Sequence, residues 1–357
     1  MTTVARVIRA DIQAMTAYPV EDAQGMVKLD AMENPYTLPL ELRRELARLI
    51  EGAPINRYPD PQARALKDRL RQVMGIPSEC ELILGNGSDE IIAILINAVA
   101  GAQATVMTPS PGFAMFKMST IIARANFVGV PLETDFSLNA EKMLAEIRQH
   151  QPSIIFLAYP NNPTGNLFDL ATIERILENA PGLVVIDEAY QVFAGKTCLP
   201  LLSRYPNLVV MRTLSKLGLA GLRLGYAAAR PDWIREFDKV RGPYNVGVLT
   251  QLLAERILAS HGVLEDQAAQ IVAERERLFG LLRGMPRVTP FPSAANFILL
   301  RVPDANKVFE GLRDHGILVR NLHGATPLLD QCVRFTVGTR AENDQLMDAF
   351  SKVMSRL

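Results

Sequence analysis

Short apolar runs alternate with longer amphipathic segments along about the first 244 residues. The runs are largely unbroken and rich in residues that favour strands, as expected when a strand is buried on both faces. They lie at 105–110, 153–158, 182–187, 207–212 and 222–228. Between them, residues 139–149 and 170–180 carry leucine, isoleucine and methionine at helical spacing. This alternation predicts an α/β fold in which helices cover a mostly parallel central sheet.

The pattern changes after about residue 244. Residues 248–260 and 268–283 have the spacing of long helices. Shorter strand and helix patterns then alternate, with strands predicted at 295–302, 316–320 and 332–337 and a helix at 306–315. The change predicts a second, smaller domain of the α+β type.

We therefore expect a large domain at residues 46–247 and a small domain at 248–357. Residues 1–45 show little periodicity and many turn signals, so they are expected to form an arm that packs with the small domain. A length of 357 residues agrees with about two domains.

The composition excludes several classes of protein. Hydrophobic residues make up 48% and charged residues 21%, which is ordinary for a globular protein and excludes disorder. The 38 basic residues equal the 38 acidic ones, so the chain lacks the basic excess typical of nucleic-acid-binding proteins. We expect neither a nucleic-acid partner nor a membrane partner.

Cysteine and histidine give no sign of a metal site or a disulfide framework. Cys80, Cys198 and Cys332 are widely spaced and form no C-x-x-C motif, which indicates ordinary thiols in a reducing compartment. The four histidines lie far apart, so no metal is expected. The first residues lack the apolar stretch of a signal peptide. We expect a soluble cytoplasmic protein.

Reactive side chains follow three of the predicted strands. Asn162 lies in the turn after the strand at 153–158, Asp187 and Tyr190 follow the next strand, and Lys216 follows the third. Ligands of open parallel sheets bind beyond the carboxyl ends of the strands. These side chains therefore form one site if the strands are neighbours.

Two glycine-containing segments have the character of anion sites. In residues 82–90 a predicted strand turns through two glycines and opens a helix, whose free N–H groups suit a phosphate. Arg223 stands between Gly221 and Gly225, where small neighbours would let its planar donor group approach an anion. Neither segment has the fingerprint of an ATP or dinucleotide site.

Four motifs occur in an order that is specific as a set: Asn-Pro-Thr-Gly at 162–165, Asp-Glu-Ala-Tyr at 187–190, Thr-Leu-Ser-Lys at 213–216 and Gly-Leu-Arg-Leu-Gly at 221–225. With them the chain resembles pyridoxal-phosphate enzymes of the aspartate aminotransferase fold type. More narrowly, it resembles the histidinol-phosphate aminotransferase family, of class II, over essentially its full length. The supporting segments are 30–36, 56–60, 85–90, 292–297, 316–320 and 333–339.

The resemblance implies a pyridoxal 5'-phosphate cofactor that Lys216 holds as a Schiff base. Asp187 would pair with the pyridine nitrogen, Asn162 and Tyr190 would hydrogen-bond the ring hydroxyl, and Phe113 would stack on the ring. Lys216, Asp187 and Tyr190 are the catalytic residues in this interpretation. The residues implied at the cofactor phosphate are Ser88, Asp89, Thr213, Ser215, Arg223 and, from the partner subunit of a homodimer, Tyr58.

The resemblance also implies a substrate site. Arg334 would bind the carboxylate of glutamate, a bidentate pairing that guanidinium groups favour. Arg320, with Tyr18 of the arm, would bind the substrate phosphate, although a salt bridge at a strand end is an alternative for Arg320. Asn34 is assigned to the substrate as well.

The implied reaction is reversible transamination between L-histidinol phosphate and 2-oxoglutarate, a step of histidine biosynthesis that gives imidazole acetol phosphate and glutamate. The alternatives are an aromatic amino-acid aminotransferase, a decarboxylase of phosphorylated amino acids, and a non-enzymatic regulator that keeps the fold. One spacing and two residues depart from the family pattern. Lys216 and Arg223 are seven residues apart instead of eight, Met32 replaces a frequent asparagine, and Phe113 replaces a frequent tyrosine.

Overall fold

The computed structural model describes residues 3–17, 19–101 and 103–357. Its strands are β1 (Val27–Lys28), β2 (Glu81–Asn86), β3 (Thr105–Ser110), β4 (Asn126–Pro131), β5 (Ile154–Ala158), β6 (Leu183–Asp187), β7 (Leu208–Thr213), β8 (Leu224–Ala229), β9 (Thr289–Pro290), β10 (Phe297–Arg301), β11 (Ile317–Leu318), β12 (Arg320–Asn321) and β13 (Cys332–Thr336).

The α-helices alternate with these strands. They are α1 (Thr3–Val7), α2 (Ala10–Gln13), α3 (Leu40–Glu51), α4 (Arg64–Met74), α5 (Gly87–Val99), α6 (Ala114–Ile122), α7 (Ala140–His150), α8 (Leu170–Asn179), α9 (Gln191–Ala194), α10 (Pro231–Asp238), α11 (Val248–Leu258), α12 (Gly262–Arg283), α13 (Ala305–Asp314) and α14 (Arg340–Met354). In the described part of the chain, no helix is both long and apolar enough to cross a membrane.

The largest sheet has seven strands within the described residues, in the order β2-β8-β7-β6-β5-β3-β4. Strands β4, β3, β5, β6 and β7 pair in parallel, whereas β8 runs antiparallel to both β7 and β2. The predicted α/β fold with a mostly parallel sheet is therefore confirmed. The apolar runs do not reveal the direction of β8, and they do not predict β4, an edge strand that is largely accessible.

The unbroken apolar runs are explained by burial on both sides of this sheet. Alternate residues of a strand point to opposite faces. In β5, Ile155 and Leu157 join one hydrophobic core, and Ile154 and Phe156 join the core on the other face. Both sets are buried, so the strand has no polar position to interrupt its run.

Two of the covering helices begin at side-chain caps. Asn139 accepts a hydrogen bond from the main-chain N–H of Lys142 at the start of α7. Asp169 does the same for Thr172 at the start of α8. Each cap satisfies a main-chain donor that the first helical turn leaves free. The caps fix where each helix begins beside the sheet.

A second sheet forms in the C-terminal part, with the order β12-β13-β10-β9 in antiparallel pairing. Strand β1 of the arm pairs in parallel with β11, so this part of the arm is joined to the C-terminal part. Helix α11 packs against α3 and α4. The domain boundaries 1–45, 46–247 and 248–357 stay a prediction.

Candidate active site

Neighbouring strands bring the predicted reactive residues to one edge of the large sheet. Ala158 at the end of β5 lies beside Asp187 of β6, and Asp187 lies beside Met211 of β7. The turns that follow these strands therefore share one cleft. The predicted residues that line it are Ser88, Asp89, Phe113, Asn162, Asp187, Tyr190, Thr213, Ser215, Lys216 and Arg223.

Lys216 lies in a short π-helical turn, Ser215–Leu219, directly after β7. Its Nζ donates a hydrogen bond to the main-chain oxygen of Ala31 at 2.9 Å. Burial lowers the pKa of Lys216 from 10.5 to about 8, and the positive charge of Arg334 acts in the same direction. A substantial fraction of this amine is therefore neutral near pH 8, as a nucleophile or a base requires.

The chain between Lys216 and Arg223 changes direction at two residues with positive φ. Gly218 has φ 124°, and Arg223 has φ 48°. Glycine adopts such a conformation without steric cost, whereas arginine does so at a small cost. With these two turns, the seven-residue segment from Lys216 to Arg223 places both side chains in the cleft.

Asp187 ends β6 with a carboxylate that is 3% exposed. Its Oδ1 accepts a hydrogen bond from the main-chain N–H of Ala189 at 3.0 Å. Burial raises the pKa of Asp187 from 3.8 to about 7, although the Ala189 hydrogen bond opposes the rise. A carboxylate in such surroundings binds favourably to a ligand that offers an N–H group with positive charge.

A hydrogen-bond chain joins the two sheets at the cleft. Arg334 of β13 donates through Nη1 to Oδ1 of Asn162 at 2.7 Å. Asn162 in turn donates through Nδ2 to the hydroxyl of Tyr190 at 3.1 Å. The Arg334 guanidinium also lies over the ring of Phe297, 5.1 Å from its centroid. Hydrogen bonds thus connect the residues predicted to bind the cofactor, Asn162 and Tyr190, to Arg334, which is predicted to bind the substrate.

Two glycines allow the main chain and Arg223 to approach each other closely at one side of the cleft. A Cβ atom at Gly87, which has φ 75°, would lie 2.6 Å from a guanidinium nitrogen of Arg223. A Cβ atom at Gly225 would lie 2.7 Å from the main-chain nitrogen of Ser88. The first turn of α5 therefore presents its free N–H groups close to the guanidinium, an arrangement suited to phosphate.

Hydroxyl groups complete this set of anion-binding donors, which we call the anion cradle: the first turn of α5 at Ser88 and Asp89, together with Thr213, Ser215 and Arg223. Thr213 donates through Oγ1 to Oγ of Ser215 at 3.0 Å. Arg223 approaches the same Ser215 oxygen at 3.5 Å and a carboxylate oxygen of Asp89 at 3.4 Å. The long distances from Arg223 leave its donors available for a stronger acceptor such as a phosphate oxygen.

A second cavity adjoins the cleft and shares Phe113 and Asn162 with it. Arg320 and Arg334 both line this cavity. They are opposite residues in the register of β12 and β13. Two guanidinium groups beside the cleft make this cavity suitable for an anionic substrate.

Asn34 and Tyr58 are not among the residues that line the cleft. The Asn34 side chain donates to the carbonyl of Leu217 at 3.2 Å and to Gln267 at 3.0 Å, so it holds the segment after Lys216 and does not line the cleft. Tyr58 is 79% exposed, and its ring stacks on Tyr244 with centroids 4.3 Å apart. Tyr18 lies outside the described residues.

A buried ion pair near the cleft is not predicted from the sequence. Arg212 donates through Nε to Oε2 of Glu188 at 2.9 Å, and both residues are buried. The same carboxylate oxygen accepts a hydrogen bond from Thr197. This pair fixes β7 to the residue that follows Asp187. The sequence does offer one indication of this pair, because Arg212 lies in an apolar strand, where a charged residue needs a partner.

Comparison with known proteins identifies relatives. The family described as Aminotransferase class I and II matches residues 24–350. The chain is 53% identical to Histidinol-phosphate aminotransferase 1 of Burkholderia lata over 98% of both chains. It is also 53% identical to the protein of the same name from Ralstonia nicotianae, over 97% of this chain and 94% of that one.

A solved structure agrees with these relatives. The chain resembles the histidinol-phosphate aminotransferase from Sinorhizobium meliloti in complex with pyridoxal-5'-phosphate. The two are 26% identical and superpose with a TM-score of 0.86 over 98% of each chain.

Proposed function

Because the chain belongs to the histidinol-phosphate aminotransferases, a family of the class I and II aminotransferases, we propose that it transfers the amino group of L-histidinol phosphate to 2-oxoglutarate. The reaction is reversible, gives imidazole acetol phosphate and glutamate, and serves histidine biosynthesis. The observation that carries the proposal is the single cleft that contains Lys216, Asp187 and the anion cradle beside Arg223.

The residues of the cleft fit pyridoxal 5'-phosphate. The N–H groups at the start of α5 and the Arg223 guanidinium, both of which suit a phosphate, lie close together because Gly87 and Gly225 have no Cβ atom. The buried Asp187 carboxylate suits a protonated pyridine nitrogen, and Phe113 supplies a ring for stacking. When bound, this cofactor accepts the amino group and withdraws electrons from the carbon that carried it.

Lys216 has two tasks in this proposal. Its amine would hold the cofactor, and the same amine, when free, would move the proton at the reacting carbon. A pKa of about 8 allows it to accept and release that proton near neutral pH. Asp187 would keep the ring nitrogen protonated, and Tyr190 with Asn162, which are joined by a hydrogen bond, would orient the ring hydroxyl.

The two arginines beside the cleft bind the anionic ends of the substrates. We assign the carboxylate of glutamate to Arg334, which Asn162 and the carbonyl of Asp30 hold in place. We assign the phosphate of histidinol phosphate to Arg320, which lies across the strand register from Arg334. One site can thus accept both substrates in turn.

A homodimer with shared sites is part of the proposal. Tyr58 and Ile55 of the same segment are 79% and 76% exposed, and the Tyr58 ring stacks on the exposed Tyr244, a grouping of exposed apolar side chains that favours an interface. A second copy of the chain would cover this surface and receive the Tyr58 hydroxyl at its cofactor phosphate.

We also propose a cytoplasmic location. The three cysteines are free and buried, and thiols of this kind persist in a reducing compartment.

The experiment that tests the proposed chemistry is reduction of the purified protein with borohydride after addition of pyridoxal 5'-phosphate. We expect a visible absorption band that disappears on reduction, and a mass increase of one pyridoxyl phosphate on the peptide that contains Lys216. Lys216→Ala is the control and should carry no such mass. A wild-type protein that never acquires the band would refute the proposed function.

A further inference from the structure

Main-chain carbonyl groups of the arm hold two of the proposed functional side chains. The oxygen of Asp30 accepts a hydrogen bond from Nη2 of Arg334 at 2.7 Å. The oxygen of the next residue, Ala31, accepts one from Nζ of Lys216 at 2.9 Å. Both donors carry or can carry a positive charge, so these are among the stronger kinds of hydrogen bond. The position of the arm at residues 30–31 therefore affects both side chains.

The conformation that aligns these carbonyl groups is held at the following residue. Met32 has φ 54°, in the left-handed region that a methionine rarely adopts. Its N–H donates to Oγ1 of Thr336 at 3.1 Å, and its carbonyl accepts a hydrogen bond from Nδ2 of Asn296 at 3.0 Å. The main-chain N–H and carbonyl of Met32 are thus both hydrogen-bonded, one to a side chain of β13 and the other to the side chain of the residue just before β10.

Asn296 and Thr336 form a rigid base for this contact. They are 0% and 2% exposed, respectively. The N–H of Val337, which follows Thr336, donates to the carbonyl of Asn296 at 2.9 Å, next to the pairing of β10 and β13. Neither side chain lines the cleft, so neither contacts substrate or cofactor there.

We propose that Asn296 and Thr336 are positioning residues, which hold the main chain at Met32 so that the two preceding carbonyl groups align the catalytic lysine and the carboxylate-binding arginine. The inference rests on the roles given to Lys216 and Arg334 under the proposed function. It adds a reason for the left-handed conformation of Met32, because the strain persists where surrounding contacts determine it.

The proposal predicts a change in the titration of Lys216. The Ala31 carbonyl stabilises the protonated amine, so loss of its alignment lowers the pKa of Lys216 further. The other charged groups that act on this amine are not themselves substituted in the variants described below. They are Arg334, Arg223, Glu33, Asp89 and Asp187.

The test compares Thr336→Val, which removes the acceptor at nearly constant volume, with Thr336→Ser, which keeps it. The extent of acetylation of Lys216 by acetic anhydride is measured against pH in the full chain without cofactor, by mass spectrometry of its peptide. We expect the midpoint to fall by about one pH unit in Thr336→Val and to stay near the wild-type value in Thr336→Ser. With cofactor, the KM for glutamate should rise about tenfold in Thr336→Val alone.

Asn296→Leu supplies a second variant of similar shape if Thr336→Val does not fold, and the same two shifts are expected. A folded variant whose acetylation midpoint and glutamate KM both equal those of the wild type would overturn the proposal, since a purely structural role lowers only stability. Failure of the proposed function has a different signature. In that case the wild-type protein does not convert histidinol phosphate, whereas the acetylation midpoints remain measurable.

Discussion

Arg320 and Arg334 face each other across the antiparallel pair β12 and β13, and both line the cavity beside Lys216. Like charges at opposite positions of a strand pair repel each other. An anion that binds between or beside the two groups would offset this repulsion. This relationship supports a site that receives substrates with a phosphate or a carboxylate.

Substitution of the two arginines separates the two substrates. Arg320→Leu should lower kcat/KM for histidinol phosphate more than for glutamate, because only the former carries a phosphate. Arg334→Leu should lower kcat/KM for glutamate by roughly ten- to a hundredfold, the equivalent of about 1.5–3 kcal/mol for a charged hydrogen-bond pair. The exposed Arg313→Leu on α13 is the control and should change neither value. Equal losses for both substrates in Arg320→Leu would assign Arg320 to general structure.

The anion cradle predicts a sharp difference between two nearby glycines. Gly225→Ala places a Cβ atom 2.7 Å from main-chain atoms of Gly87 and Ser88, so α5 must shift away from the cradle. We expect its dissociation constant for pyridoxal 5'-phosphate to rise tenfold or more, given about 1–3 kcal/mol for overpacking. A Cβ atom at Gly221 meets nothing within 4 Å, so Gly221→Ala should bind as the wild type does. Equal affinities of the two variants, measured by fluorescence titration, would contradict the cradle.

Asp187 gives a prediction about stability and pH. Its pKa is 3.8 unfolded and about 7 folded, so the folded chain holds a proton that the unfolded chain has released. The stability that this proton contributes is fully present below about pH 4 and is lost as pH rises through 7. In the cofactor-free chain, Asp187→Asn avoids that loss.

We therefore expect Asp187→Asn to be more stable than the wild type near pH 8, by roughly 4 kcal/mol at most, and the difference to shrink towards pH 4. Urea unfolding of the cofactor-free proteins at both pH values measures this difference. The variant should also bind the cofactor more weakly, because the protonated pyridine nitrogen loses its partner. A difference in stability that grows towards low pH would have the wrong sign for this account.

Mixed dimers test whether Tyr58 acts across an interface. A heterodimer of a Tyr58→Ala chain and a Lys216→Ala chain contains one fully intact site only if each site takes Tyr58 from the other subunit. Such a heterodimer, purified through two different tags, should then have about half of the wild-type activity. If Tyr58 acts within its own chain, both sites carry a defect and the mixture is no more active than the single variants.

Much of the fold can be predicted from the sequence, because strands that are buried on both faces consist of apolar residues. Strands β5, β6 and β7 are buried on both faces, which leaves unbroken apolar runs, and the residues directly after them are the ones in the cleft. Strand β4 is missed because its accessible positions break the run. The direction of β8 depends on its pairing, which a run of apolar residues does not encode.

The contacts within the site are predicted less completely, because they join distant residues or involve main-chain groups. The contact between Asn162 and Arg334 joins residues 172 positions apart, which no local pattern indicates. The partner of Lys216 is a main-chain carbonyl at Ala31, and main-chain groups are the same at every residue. Asn34 lies in a segment that matches the family. Its amide donates a hydrogen bond to the carbonyl of Leu217, just after Lys216, and only the folded chain shows this contact.

The most direct test of the central claim is a half-reaction measured with each amino donor alone. The purified protein with pyridoxal 5'-phosphate is mixed separately with histidinol phosphate, glutamate, phenylalanine and threonine phosphate, and loss of the cofactor's visible band is followed by stopped-flow absorption. The account predicts rapid loss with histidinol phosphate and with glutamate, and much slower loss with the other two. A rate with phenylalanine that far exceeds the rate with histidinol phosphate, or release of carbon dioxide from threonine phosphate, would contradict it.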